Sequence, residues 1–123
     1  MKVNEFIREI ENTRGYEYQI VHVQDIPTRE AQYGDLSSPL EPRLQATLKS
    51  QGIEKLYTHQ VTAIESIRDG KNIVVVTSTA SGKTLCYNIP VLESLIKDEN
   101  TRALYLYPTK ALAQDQLKKI KRM

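Results

Sequence analysis

Apolar residues change their spacing several times along this chain, and each change marks a different kind of element. Near the start, Phe6, Ile7 and Ile10 recur at helical steps among charged neighbours. They predict a short amphipathic helix from Lys2 to Asn12, ended by Gly15. Tyr16, Tyr18, Ile20, Val21 and Val23 follow as an extended piece closed by Pro27. From Thr28 to Pro42 the pattern turns polar, with Gly34, Ser37, Ser38 and two prolines, and reads as a surface linker. Helical spacing returns from Leu40 to Gln51 and stops at Gly52. Thr58 is the expected N-cap of a third helix, carrying Val61, Ile64 and Ile67 and stopped by Gly70.

Beyond Gly70 the organisation tightens. Asn72-Ile73-Val74-Val75-Val76 is a β-branched run that predicts a buried parallel strand. Leu85, Ile89, Leu92 and Ile96 then recur at helical spacing, and Pro90 predicts a bend in that helix because it removes a donor and crowds the carbonyl of Cys86. Asp98-Glu99-Asn100 makes a turn, Arg102 to Tyr107 a second strand, and Pro108-Thr109 the start of a last helix. Strand, loop, helix, strand, helix is the signature of an α/β fold with a parallel sheet. The expected organisation is an N-terminal extension and linker over 1–52, helical and extended, followed by the α/β part over 53–123.

Composition narrows the function. A chain of 123 residues has room for one modest domain with a core. Net charge is +2, so attraction to a nucleic acid has to come from local patches. The single cysteine excludes an intrachain disulfide and any cysteine-based zinc site, and Cys86 reads as a small core residue. No run is long enough for a membrane span, and the N-terminus lacks the apolar stretch of a signal peptide. The expectation is a soluble cytoplasmic protein with no membrane partner.

The candidate chemistry lies in Thr77 to Thr84, TSTASGKT. It ends as a phosphate-binding loop does, in Gly82-Lys83-Thr84, but Thr77 stands where the pattern G-x-x-x-x-G-K-[ST] has its first glycine. Amide groups of a tight turn opening into a helix form a concave site for anionic oxygens. Gly82 allows close approach of the backbone, Lys83 can reach the β- and γ-phosphates, and Thr84 can place its hydroxyl on Mg²⁺. A Ser/Thr-rich turn with an incidental lysine is the bland alternative. The strand before the loop and the helix after it argue against that.

Three motifs in order make a wider case. LYTHQ (Leu56 to Gln60), TSTASGKT, and YPTKALAQDQ (Tyr107 to Gln116) resemble the Q motif, motif I and motif Ia of superfamily 2 helicases. The stretches TSTASGKTLCYNIPVL and ALYLYPTKALAQDQ, with IPTREAQYGDL upstream, are similar to the branch that holds the bacterial mitomycin-repair DNA helicases and their RecQ-like fungal relatives. The resemblance covers roughly the last two thirds of the chain, and weakly the first quarter. It implies the first part of a RecA-like P-loop lobe, with ATP and Mg²⁺ as cofactors, and tolerance of threonine at the first loop position. Ala80 departs from the glycine common in DEAD-box loops, which counts against a simple DEAD-box RNA helicase.

The resemblance also implies site residues. Tyr57, Gln60, Thr79, Ala80, Ser81, Gly82, Lys83 and Thr84 would hold the nucleotide, with Lys83 and Thr84 serving catalysis. Gln60 carries an amide that can pair bidentately with an adenine edge. Tyr57 could pack beside the base, and His59 reads as a structural or surface histidine. Thr109, Lys110 and Gln114 of motif Ia would meet a nucleic-acid backbone, single-stranded DNA ahead of RNA. Lys118 and Lys121 share a stripe with them but read as a solvated face.

A motor also needs a carboxylate pair at a strand end. The adjacent pair Asp98-Glu99 follows a helix, precedes motif Ia and reads as a solvated turn. The expectation is therefore the ATP-binding N-terminal part of a longer DNA helicase or translocase, serving DNA repair, completed by further helicase lobes and inactive as an isolated piece. An RNA helicase, a nucleotide-binding module without turnover, and a small-molecule kinase sharing only the loop are the alternatives. Gln60 and Pro108-Thr109-Lys110 argue against the kinase.

Overall fold

The computed structural model describes residues 2–28, 30–78 and 81–123, so Thr79 and Ala80 of the expected nucleotide site lie outside the described residues. The chain forms two compact units, Met1–Glu30 and Ala31–Met123. The expected boundary after residue 52 instead falls inside the second unit.

In the first unit, helix α1 spans Val3–Glu11, close to its predicted limits. The Glu5 carboxylate accepts the Lys2 backbone N–H at 2.9 Å and so satisfies a donor at the helix start. The apolar stripe leaves Phe6 about half exposed. The extended piece after Gly15 forms no strand. The Tyr16 and Tyr18 rings lie 5.9 Å apart, and the Tyr16 hydroxyl accepts the Ile20 N–H at 3.3 Å.

The second unit is built on two helices, α3 (Thr58–Arg68) and α4 (Lys83–Lys97). Helical spacing brings Ile64 of α3 and Ile89 of α4 together, and neither is exposed at all. Leu44 and Leu48 of α2 (Pro42–Ser50) and Leu56 complete the buried cluster. Helix α2 starts as its sequence dictates: Pro42 occupies the first turn, where its missing N–H costs nothing, and Glu41 accepts the N–H groups of Arg43 and Leu44. The stops at Gly52 and Gly70 fall where predicted. Helix α3 begins one residue early, with Tyr57 rather than Thr58 as its N-cap. Helix α4 runs through Pro90 as one element, with the Ser94 hydroxyl donating to the Pro90 carbonyl at 2.9 Å.

Two sequence expectations are corrected. The first is the linker over 28–42, whose second half docks onto the helices. Strand β1 (Tyr33–Gly34) pairs antiparallel with β2 (Leu56–Tyr57), matching Tyr33 with Tyr57 and Gly34 with Leu56. Ser37 donates through its N–H and its hydroxyl to Glu65, and the Arg68 guanidinium donates to the Ser38 carbonyl at 2.8 Å. Arg68 also makes a two-pronged contact with the buried Glu93 carboxylate, joining α3 to α4; this bond raises the Arg68 pKa. Leu36 and Leu40 pack against the core from the same segment. Polar residues here have partners 28 to 30 residues away on α3.

The second correction concerns the parallel sheet. Residues 72–78 and 101–107 are extended but belong to no ladder among the described residues. Their burial still alternates. Ile73, Val75 and Thr77 turn inward, as do Tyr105 and Tyr107, while Val74 and Val76 are 89% and 87% exposed and Leu104 and Leu106 85% and 82%. Alternation of this kind has the period of a strand, here with no paired neighbour among the described residues. Extended backbone becomes a strand only when another segment takes up its N–H and C=O groups, and these two segments do not pair with each other.

Helix α5 (Lys110–Ile120) closes the chain. Ala113 and Ile120 turn inward, but Leu117 on the same side is about half exposed. Tyr105, Tyr107, Asn88, Gln116 and Ile120 line a cavity of 230 Å³ between α4 and α5. No helix of the described residues is long and apolar enough to cross a membrane.

Candidate nucleotide-binding loop

The loop from Thr77 to Gly82 joins the extended segment to the start of α4. Gly82 is the N-cap of α4 with φ +76, in the left-handed region that a side chain rarely adopts. A Cβ added there would lie 2.5 Å from Gln60 Nε2, so a side chain would be strained in the backbone and would also have to displace the Gln60 amide. Lys83 and Thr84, half-buried, open the helix. The first amide groups of a helix have no partner within it and carry the positive end of its dipole.

Lys83 folds back over the loop. Its ammonium donates to the Thr77 carbonyl at 3.0 Å, to the Thr77 hydroxyl at 3.2 Å, to the Ser78 carbonyl, and to the Ser81 hydroxyl at 3.4 Å. The Thr77 and Ser81 hydroxyls bond each other. Threonine at the first loop position therefore has a role that glycine could not fill: its hydroxyl holds both Ser81 and Lys83. All these acceptors are neutral, and Lys83 is in no ion pair among the described residues. A cation at the positive end of a helix, surrounded by neutral groups, leaves the site electrostatically short of an anion.

Helix α3 meets the loop from the other side. Gln60 is 2% exposed, and both ends of its amide are engaged. Its Oε1 accepts the Tyr57 N–H at 2.9 Å, and its Nε2 donates to the Gly82 carbonyl at 3.0 Å. The sequence placed Gln60 on an adenine edge. The structure places it between the start of α3 and the loop. His59 Nε2 lies 3.0 Å from the Ser81 carbonyl, a contact that requires the ring nitrogen to carry the proton. The His59 ring is stacked on Tyr57 at 5.7 Å, and Tyr57 on Tyr33 at 5.2 Å. Lys55 Nζ lies 5.9 Å from the centre of the Tyr33 ring.

Beside these groups a cavity of 470 Å³ is lined by Tyr33, Gly52 to Lys55, Tyr57, Gln60, Gly82 and Leu85. It brings Tyr57, Gln60 and Gly82 of the predicted set together and adds Tyr33 and Lys55, which sequence reasoning left aside. Nothing in the local sequence marks Tyr33, because its place depends on pairing with Tyr57 across 24 residues. His59 had a signal: it precedes Gln60 at a helix start, where neighbouring side chains can reach the same loop.

The expected nucleic-acid residues gather at one end of α5. Thr109 is its N-cap, accepting the Leu112 N–H at 3.3 Å, and Lys110 and Gln114 are exposed one turn apart. The Asp98-Glu99 pair sits in the exposed turn after α4, where Asp98 accepts the Asn100 N–H. The helix between that turn and Lys83 is about 22 Å long. Among the described residues no group of three or more His, Cys, Asp or Glu could hold a metal ion.

A left-handed glycine followed by a lysine at a helix start, after an extended apolar segment, is the geometry of a phosphate-binding turn. Comparison with known proteins makes the class specific: the chain belongs to the DEAD/DEAH box helicase family, which matches it over residues 57–123. Among curated relatives, the ATP-dependent helicase YprA of Bacillus subtilis is 48% identical over 116 residues, covering 94% of this chain and 15% of its own length. The ATP-dependent helicase hrq1 of Schizosaccharomyces pombe is 46% identical over 121 residues, 96% of this chain and 11% of its own. The chain thus spans about a seventh or less of these relatives. A crystal structure of the DUF1998 helicase MrfA bound to DNA superposes with a TM-score of 0.81 at 43% identity, covering 99% of this chain and 17% of that one. The same helicase bound to DNA and AMPPNP gives 0.80 at 44% identity, with 98% and 17% covered.

Proposed function

We propose that this chain is the ATP-binding part of an ATP-dependent DNA helicase or translocase of the DNA-repair type, built as the start of a RecA-like lobe. The observation that carries the reading is Lys83, a cation on a helix N-terminus with only neutral partners. A triphosphate supplies the missing negative charge. The donor set fits it: amides at a left-handed glycine, an ammonium that can leave the loop carbonyls for β- and γ-phosphate oxygens, and the Thr84 hydroxyl for the accompanying Mg²⁺. The cavity beside Gln60 and Tyr57 has room for the base. Pairing with adenine would require Gln60 to give up the Gly82 carbonyl or the Tyr57 N–H, so base and loop would compete for one amide. Family membership and the resemblance to DNA-bound MrfA support DNA as the track, contacted by Thr109, Lys110 and Gln114 at the start of α5.

For these 123 residues by themselves the reading is binding without turnover, because Asp98-Glu99 stands a helix length from Lys83. In the full-length helicase, Lys83→Ala should abolish ATP hydrolysis stimulated by single-stranded DNA. Steady-state activity within about threefold of the unsubstituted enzyme, under 1 kcal/mol of transition-state stabilisation, would refute the assignment. Calorimetry on the 123-residue chain should show weak Mg-ATP binding that Lys83→Ala removes, and no hydrolysis above that control.

A further inference from the structure

We propose that His59 is a positioning residue of the phosphate loop, acting through its Nε2–H on the Ser81 carbonyl. The inference rests on the nucleotide reading above and extends it to a residue that touches no phosphate. His59 and Gln60 are consecutive in α3, and their side chains hold consecutive carbonyls of the loop, Ser81 and Gly82, each at 3.0 Å. A trans peptide sets its N–H opposite its C=O. Drawing the Ser81 carbonyl toward α3 therefore turns the Gly82 N–H the other way, and drawing the Gly82 carbonyl does the same for the Lys83 N–H. These are the first amide groups at the start of α4, the ones a phosphate would meet.

Gln60 alone would fix only the second peptide. The first precedes a left-handed glycine, the residue with the greatest freedom to rotate it, so its orientation needs a separate hold. His59 supplies that hold from a ring that is itself held, parallel to Tyr57. The docked segment therefore reaches the loop through one line of side chains: Tyr33 stacks on Tyr57, Tyr57 on His59, and His59 bonds Ser81.

Two substitutions separate the donor from the ring. His59→Phe keeps an aromatic face for Tyr57 and removes the N–H. His59→Gln removes the ring and keeps an amide donor at similar reach. The Gly82 amide order parameter, measured by ¹⁵N relaxation on the 123-residue chain without nucleotide, should stay near the rigid value of about 0.85 in the unsubstituted chain and in His59→Gln. It should fall below about 0.6 in His59→Phe and His59→Ala. Mg-ATP affinity should fall about three- to tenfold in the Phe and Ala variants, the loss of one hydrogen bond, and stay within about twofold in His59→Gln.

The opposite ranking, with Phe intact and Gln impaired, would make His59 a stacking residue and overturn the proposal. So would an unchanged Gly82 order parameter in both Phe and Ala variants. If the unsubstituted chain binds no Mg-ATP while Gly82 order still follows the donor, the nucleotide reading fails and the positioning of the loop stands.

Discussion

Gly82 shows how one residue can be fixed by two unrelated constraints. Its φ of +76 strains any side chain, and a Cβ would displace the Gln60 amide. Gly82→Ala should therefore cost about 1–2 kcal/mol for the left-handed backbone alone, before Gln60 is displaced. A urea unfolding midpoint equal to that of the unsubstituted chain would disprove it. Cys86 is the converse case, a residue whose environment makes it inert. It is fully buried on α4, and burial pushes its thiol pKa up, with nearby Lys83 opposing only weakly. Raising the pKa keeps the thiol protonated, so at pH 8 the folded chain should react with a thiol reagent many times more slowly than the chain in urea. Equal labelling rates would show the site open. The sequence made Cys86 legible through helical spacing and Gly82 through its place before a lysine. It hid the internal use of Gln60, because an amide that could read a base can equally bond a carbonyl.

At the scale of elements, the helices were legible and the sheet was only half so. Spacing and glycine stops located α2, α3 and α4 because each buries a stripe against the others. Alternation located the extended segments at 72–78 and 101–107, but alternation records which side chains turn inward and says nothing of what pairs alongside. The docked strand at Tyr33 was illegible for the opposite reason, since its partner Tyr57 lies 24 residues away and the serines after it bond to α3. Within the second extended segment, burial pushes the Tyr107 hydroxyl up to about 12, with contributions from Tyr87 and Tyr105; burial raises Tyr105 too. A phenol whose folded pKa is raised stabilises the fold fully below its unfolded value, about 10. That contribution is lost as pH rises from about 10 toward 12. The urea midpoint should fall between pH 9 and 11.5, and Tyr107→Phe should flatten the fall. Identical slopes for the two chains would exclude Tyr107 as a source.

For the whole molecule, the proposed function divides between two surfaces: the loop at the start of α4 and the exposed start of α5. Lys110→Ala in the full-length helicase should weaken single-stranded DNA binding alike across sequences. It should also flatten the slope of log K against log salt by about 0.7, one phosphate contact. Lys121→Ala, at the other end of α5, should do little. A salt titration that leaves the Lys110→Ala slope unchanged would remove α5 from the nucleic-acid interface.

The grip of α3 on the loop has a consequence in time. The buried apolar residues lie between Leu44 and Ile89, and the two bonds from His59 and Gln60 span 22 residues each. A chain made from its N-terminus at about 5–20 residues per second has all of these residues some 2–7 s before residue 123 is added. Helices and hydrophobic collapse need only microseconds. Capture of the Ser81 and Gly82 carbonyls therefore needs no residue beyond α4 and does not wait for the segment that follows it. The shape of the proposed phosphate seat is then settled from the helix side, independently of any pairing by residues 72–78 and 101–107.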